Sequence, residues 1–293
     1  MKLNVFVTLL VPTVVMLASI NMASAMTSAN TQTATSTTAL PEPAPAAAAS
    51  AFHFSLSLSR STNLVDYQDG SRGDSLDYAF NPSMKTSFGS FATSLAYSQN
   101  LRDQYNSTAS DWSDIPLIFS FKPKTFIWLA RNAKVQYSVT AVIPISQYSV
   151  KKDQLQTALS GKIGFSLMPV EGNGFGIVTG ISLGRNFHSY EEDINGSVLN
   201  QYSSNQNAGI SYVFNDWSFS ADFVNRTRWT YKNSVKSSFE ISEEIGYSIN
   251  PNFSAAIGHT NAGATLRANG ADSNVDLYNE NTAIVYATLG MSY

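Results

Sequence analysis

The sequence predicts an all-β chain closed into a transmembrane, antiparallel up-and-down barrel of about twelve strands. Three observations predict it. From Ala51 to Tyr293 apolar residues recur every second position, the period of a strand rather than a helix. Tight turns alternate with long polar loops. The second parity is so rich in Gly, Ala and Ser that it could not fill a core, which needs bulky complementary packing.

The alternation is direct to read. Phe52, Phe54, Leu56 and Leu58 alternate with His53, Ser55, Ser57 and Ser59, and Val135, Tyr137, Val139, Ala141 and Ile143 with Gln136, Ser138 and Thr140. Phe175, Ile177, Thr179, Ile181 and Leu183 do the same against Gly176, Val178, Gly180, Ser182 and Gly184. Strands are expected at 51–60, 74–82, 87–101, 113–122, 133–146, 154–168, 175–189, 199–214, 217–231, 237–249, 253–262 and 277–293, many near the ~10 residues that cross a bilayer with tilt. Asn215-Asp216 and Asn250-Pro251-Asn252 read as tight turns, and 61–73, 102–112, 190–198 and 263–276 as long loops. An even strand count brings both ends of the barrel to the short-turn, periplasmic side.

A soluble sandwich or lipocalin-like barrel is the alternative, but it would put the large residues inside. The aromatics instead gather near strand ends. Phe214, Trp217, Tyr247, Phe253 and Tyr293 lie at one end, and Tyr97, Phe187, Trp229 and Phe239 toward the other, as interfacial girdles require.

The N-terminal segment divides in two. Residues 1–25 have the layout of a secretory signal peptide, with Lys2, an apolar stretch from Val5 to Ile20, and the small-residue site Ala23-Ser24-Ala25, so cleavage leaves Met26 first. Residues 26–50, rich in Ala, Thr and Pro with Glu42 as their one charge, cannot bury enough apolar area to offset ordering entropy. They are expected to be a disordered periplasmic arm, with a tether to peptidoglycan or a partner as the alternative. The barrel occupies 51–293. With no cysteine the chain holds no disulfide, thiolate metal site or lipid anchor, and 18 basic against 21 acidic residues give no case for nucleic acid.

The C-terminus, Thr282-Ala-Ile-Val-Tyr-Ala-Thr-Leu-Gly-Met-Ser-Tyr293, resembles the closing strand of bacterial outer-membrane proteins. Ala283, Val285, Ala287, Leu289, Met291 and Tyr293 occupy its alternate positions, with Tyr in place of the commoner terminal Phe. The resemblance implies a Gram-negative cell outer membrane, insertion by the outer-membrane assembly machinery, and contact with outer-membrane lipid and lipopolysaccharide. It covers architecture only.

Enzyme signatures such as G-x-S-x-G, H-E-x-x-H and a phosphate-binding Gly loop are absent from the sequence, so no catalytic residue, metal or cofactor is expected. His53, His188 and His259 read as solvated or hydrogen-bonded histidines. Centring each turn between its strands aligns an outward polar row of Gln206, Asn225, Glu243 and His259. Three readings stay open: an outer polar boundary, with or without a bulge turning Glu243 away from lipid; a seam between subunits of a homo-oligomer; and a lipid-directed hydrolase. Outer-membrane phospholipases resemble the third in carrying catalytic residues on the barrel exterior. They need a Ser beside the His, and no outward Ser pairs with His259 in this register.

A second group faces inward. The same centring places Arg228 opposite Glu240, Arg226 diagonal to Glu244, and Asp222 further along the strand, facing a wall of Gly164, Gly176, Gly180 and Gly184. It reads either as a structural ion-pair ladder or as the charged wall of a permeation path. The expected function is a narrow passive channel for small polar solutes or ions, with a surface structural or adhesion barrel as the alternative.

Overall fold

Strand after strand, β-branched and aromatic side chains on one parity oppose small polar ones on the other, and among the described tight turns Asn215 and Asn233 take the left-handed φ that a sharp reversal needs. The computed structural model describes residues 51–64, 73–101, 110–128, 131–167, 174–267, 270 and 272–293. The expected signal peptide and arm lie outside the described residues.

The strands in chain order are β1 (Phe52–Asn63), β2 (Asp74–Lys85), β3 (Gly89–Thr93), β4 (Leu95–Asn100), β5 (Ser110–Trp112), β6 (Ile115–Phe121), β7 (Lys124–Trp128) and β8 (Arg131–Ile143). They continue as β9 (Leu155–Leu167), β10 (Gly174–His188), β11 (Asn200–Phe214), β12 (Trp217–Thr230), β13 (Val235–Asn250), β14 (Phe253–Ala264) and β15 (Ala283–Ser292). A π-helical turn, Tyr148–Lys152, lies between β8 and β9. β3 and β4 form one interrupted wall strand and β5, β6 and β7 another, so the sheet is a closed antiparallel barrel of 12 strands. Pairing of β1 with both β2 and β15 closes it and removes every free edge.

The parity is as the sequence predicts. Leu58, Val139, Leu159, Ile181, Ile210 and Ile257 stand exposed on the outside, a continuous apolar surface far larger than a water-soluble monomer presents. Ser59, Ser138, Ser166, Ser182 and Ser203 point inward and are buried.

Several boundaries differ from expectation. β1 runs on to Asn63, and the fourth wall strand spans 110–128 because β7 continues it past Lys122-Pro123, pairing Lys124 with Val135. The last strand begins at Ala283, since 277–282 belong to a loop folded against β14. Phe239, expected in an outer girdle, is only 2% exposed, its ring packed over Gly263.

The β12–β13 turn matters most for the site. Thr230 N–H donates to the Ser234 carbonyl at 2.9 Å, Ser234 N–H donates to Thr230 Oγ1 at 3.1 Å, and Asn233 takes a left-handed φ of 59°. These side-chain bonds close the chain at 231–234, two residues before the expected centre, and β13 starts at once with Val235. A shift of even number keeps every side chain on its face and changes every partner.

Candidate functional site

The inward face of β9–β13 carries most of the described lumen charge. Tight pairing sets its rows: Lys162, Ser182, Asn205, Arg226 and Ser238 lie on one, and Ser160, Gly184, Ser203, Arg228 and Lys236 on the next. Arg228 therefore faces Lys236 rather than Glu240, and Glu244 faces Ser220, far from Arg226. Glu240, opposite Val224, reaches back diagonally to Arg226, with Nη2 to Oε2 at 2.7 Å. The expected five-residue set thus resolves into one ion pair, Arg226–Glu240, with Arg228, Asp222 and Glu244 in other settings.

Asp222 folds over Gly209, where a Cβ would stand 2.1 Å from its Oδ1. It is within electrostatic reach of Lys162, a residue the sequence reading passed over. The signal for Lys162 was present, since it shares the inward parity of Ser160 and Gly164. Gly180 and Gly184 are inward as expected, but the space they leave is partly taken by Asn207 Oδ1 and Ser203 Oγ, each 2.9 Å from the built Cβ. On the adjoining strands Tyr286, 1% exposed, crosses the lumen face of Gly258 and donates to Glu244 Oε2 at 2.9 Å. Hydroxyl and amide pairs line the arc from β15 to β4: Thr288–Ser59 at 2.9 Å, Ser61–Ser75 at 2.7 Å and Ser94–Asn81 at 2.6 Å.

At the long-loop end, Asp114 caps the π-helical turn. Its Oδ1 accepts from Ile145 N–H and Ser146 N–H at 2.9 Å and its Oδ2 from Ser149 Oγ. Lys152 joins this turn to the 189–199 loop through Asp193 at 3.9 Å and through its carbonyl, which accepts from Ile194 N–H. Burial pushes the Asp153 carboxyl up to about 6, with Lys152 opposing and Asp193 and Asp114 adding to the rise.

The expected outward row divides into two pairs. Gln206 faces Asn225 and accepts from its Nδ2 at 2.9 Å; Glu243 faces His259, 3.4 Å from Nδ1. Asn225 and Glu243 do not meet, because the shifted turn sets Asn225 against Phe239 and Glu243 against Ala221. The four are nonetheless level. They stand eight, eight, seven and six residues from the short-turn ends of β11, β12, β13 and β14, roughly 15–20 Å up a wall with an apolar band of about 25 Å. The Tyr278 ring stacks on His259 at 6.0 Å, and Asn261, also outward, is sealed at 1% exposure by bonds to the Asp276 carbonyl and Thr282. The loop after β14 thus lies against this part of the wall. The cross-strand neighbours of His259 are Glu243 and Val285, and neither supplies a nucleophilic hydroxyl.

No protein-family model and no curated relative matches the chain. Among solved structures, an outer-membrane channel from Pseudomonas putida F1 overlays 87% of this chain and 97% of its own with TM-score 0.53 at 9% identity, a likeness of fold. The NanC porin overlays 82% of this chain and 98% of its own at TM-score 0.48 and 11% identity, and the KdgM porin 82% and 99% at 0.44 and 7%.

Proposed function

We propose that this outer-membrane β-barrel is a narrow passive channel for small polar solutes or ions. The observation that carries the proposal is the sorting of charge. Lys162, Asp222, Arg226, Arg228 and Glu240 all point into the lumen, away from a wall whose exterior is predominantly apolar. Charges placed inward, with hydroxyls and amides beside them, supply a polar path through a bilayer that would otherwise exclude ions.

A non-conducting surface barrel is the competing reading. It is favoured by side chains that fill parts of the lumen, where Tyr286, Ile118 and Glu244 are 1%, 3% and 4% exposed. A twelve-stranded barrel lies between eight-stranded ones that side chains fill and sixteen-stranded open porins, so lumen side chains decide the matter. A lipid-directed hydrolase is not adopted, because neither cross-strand neighbour of His259, Glu243 or Val285, supplies a nucleophilic hydroxyl.

Conductance of the purified chain in planar bilayers tests the proposal. Discrete ohmic steps are expected; a correctly folded barrel that never conducts in salt gradients leaves the surface-barrel reading.

A further inference from the structure

No aromatic ring covers the Gln206–Asn225 pair as Tyr278 covers His259; of the loop after β14, Thr265 borders the hollow beside it. Along its own strands it is followed toward the long loops by Ser204 and Thr227 and then by the aromatics Tyr202 and Trp229, and toward the short turns by the apolar Ala208, Ile210 and Phe223. The pair is therefore inside the hydrocarbon band, about 10 Å below the aromatic girdle. The Glu243–His259 pair at the same level lies under the Tyr278 ring, and Arg60 on β1 closes on Asp74 at 2.8 Å. Gln206 and Asn225 have only each other.

Their mutual bond satisfies one Asn225 N–H and the Gln206 oxygen, at 2.9 Å. It leaves the Gln206 amide N–H groups and the Asn225 Oδ1 facing outward, a donor and an acceptor side by side on adjacent antiparallel strands. Hydrocarbon can serve neither, and an unserved amide in an apolar medium is costly. A shallow hollow of about 790 Å³ flanks the pair, lined by Phe165, Thr179, Ile181, Ala208 and Phe223.

We propose that this wall, β10–β12, is the docking surface for a second copy of the chain. A twofold axis along the membrane normal and through the pair brings β11 of one protomer against β12 of its partner at equal height. Each Gln206 then donates to the opposite Asn225 Oδ1, so one contact is made twice and the interface is closed and self-complementary. Small residues beside the pair (Ala208, Ser204, Thr179) let the walls approach, as membrane interfaces require, and the hollow receives the partner's Phe223. A lipid acyl chain could fill the hollow but would leave the amides unserved.

The chain has no cysteine, so a single one can be introduced without background. In outer-membrane vesicles, Ala208→Cys treated with a short bismaleimide is expected to give a covalent dimer, whereas Ile257→Cys on β14 is expected to stay monomeric. Adding Gln206→Leu and Asn225→Leu should lower the Ala208→Cys dimer on the order of tenfold, with the folded, heat-modifiable band retained. No dimer from folded Ala208→Cys overturns the proposal, as does equal cross-linking at Ile257→Cys. Ready labelling of Ala208→Cys by a lipid-borne maleimide, without dimer, assigns the hollow to lipid and overturns it as well.

Discussion

Tyr286 on β15 passes over Gly258 on β14 and donates its hydroxyl hydrogen to Glu244 Oε2 on β13, at 2.9 Å, so three neighbouring strands are tied across the inside of the wall. A Cβ on Gly258 would stand 2.0 Å from the Tyr286 hydroxyl oxygen. The pairing of a large aromatic with a cross-strand glycine lets the ring lie against the backbone instead of projecting into the lumen. Tyr286→Phe is expected to cost about 1–3 kcal/mol by leaving a buried carboxylate without this donor, and Gly258→Val to cost more by expelling the ring. Urea unfolding in lipid vesicles measures both; equal stability of Tyr286→Phe and wild type would show the hydrogen bond to be idle.

The lumen charges make the channel reading quantitative. Replacing Arg226 and Arg228 together with Ser leaves Glu240 and Asp222 less opposed, so ion preference should move toward cations. Arg226→Ser alone should account for most of the shift, because Arg226 is the residue bonded to Glu240, at 2.7 Å. Reversal potentials under a salt gradient report it, and a shift toward anions would contradict the arrangement.

Glu243→Leu should leave folding within about 1 kcal/mol of wild type, since it removes a carboxylate from the lipid-facing wall at the loss of one partly exposed contact with His259. The ring stack of His259 on Tyr278 remains. Limited proteolysis of the 265–282 loop checks this: unchanged cleavage is expected, and faster cleavage would mean that Glu243 holds the loop through His259.

The Asp153 carboxyl is raised above its unfolded value of 3.8 to about 6, so the folded loop binds its proton more tightly than the unfolded chain does. Its protonation therefore favours the folded loop below that range, and this contribution is lost as pH rises from 3.8 through about 6. Hydrogen exchange across 145–154, corrected for its intrinsic pH dependence, should be slower at pH 5 than at pH 7. In Asp153→Asn the difference should vanish. A larger difference in that variant would place the titrating group elsewhere.

Topology follows from the lengths of the connections. Epitope tags within 190–198 and within 277–280 are expected to be accessible on intact cells, and a tag in 26–50 is not. Surface labelling of the latter alone would invert the barrel.

The sequence by itself determined the number of wall strands, the side each residue faces and the nature of each face, because strand parity is a local property that any segment of about ten residues displays. It also placed correctly the facing pairs next to tight turns with one geometric solution, Gln206 with Asn225 beyond Asn215-Asp216 and Glu243 with His259 beyond Asn250-Pro251-Asn252. Only the tertiary structure decided the rest. Which acid meets Arg226 depended on how Thr230 and Ser234 close one turn, a matter of two residues that leaves the periodicity untouched. The place of Lys162 beside Asp222 required β9 and β12 to be brought to one lumen. The ring of Tyr278 on His259 depended on a loop folding back over the wall, and loop paths are set by packing against distant strands, which no local period records.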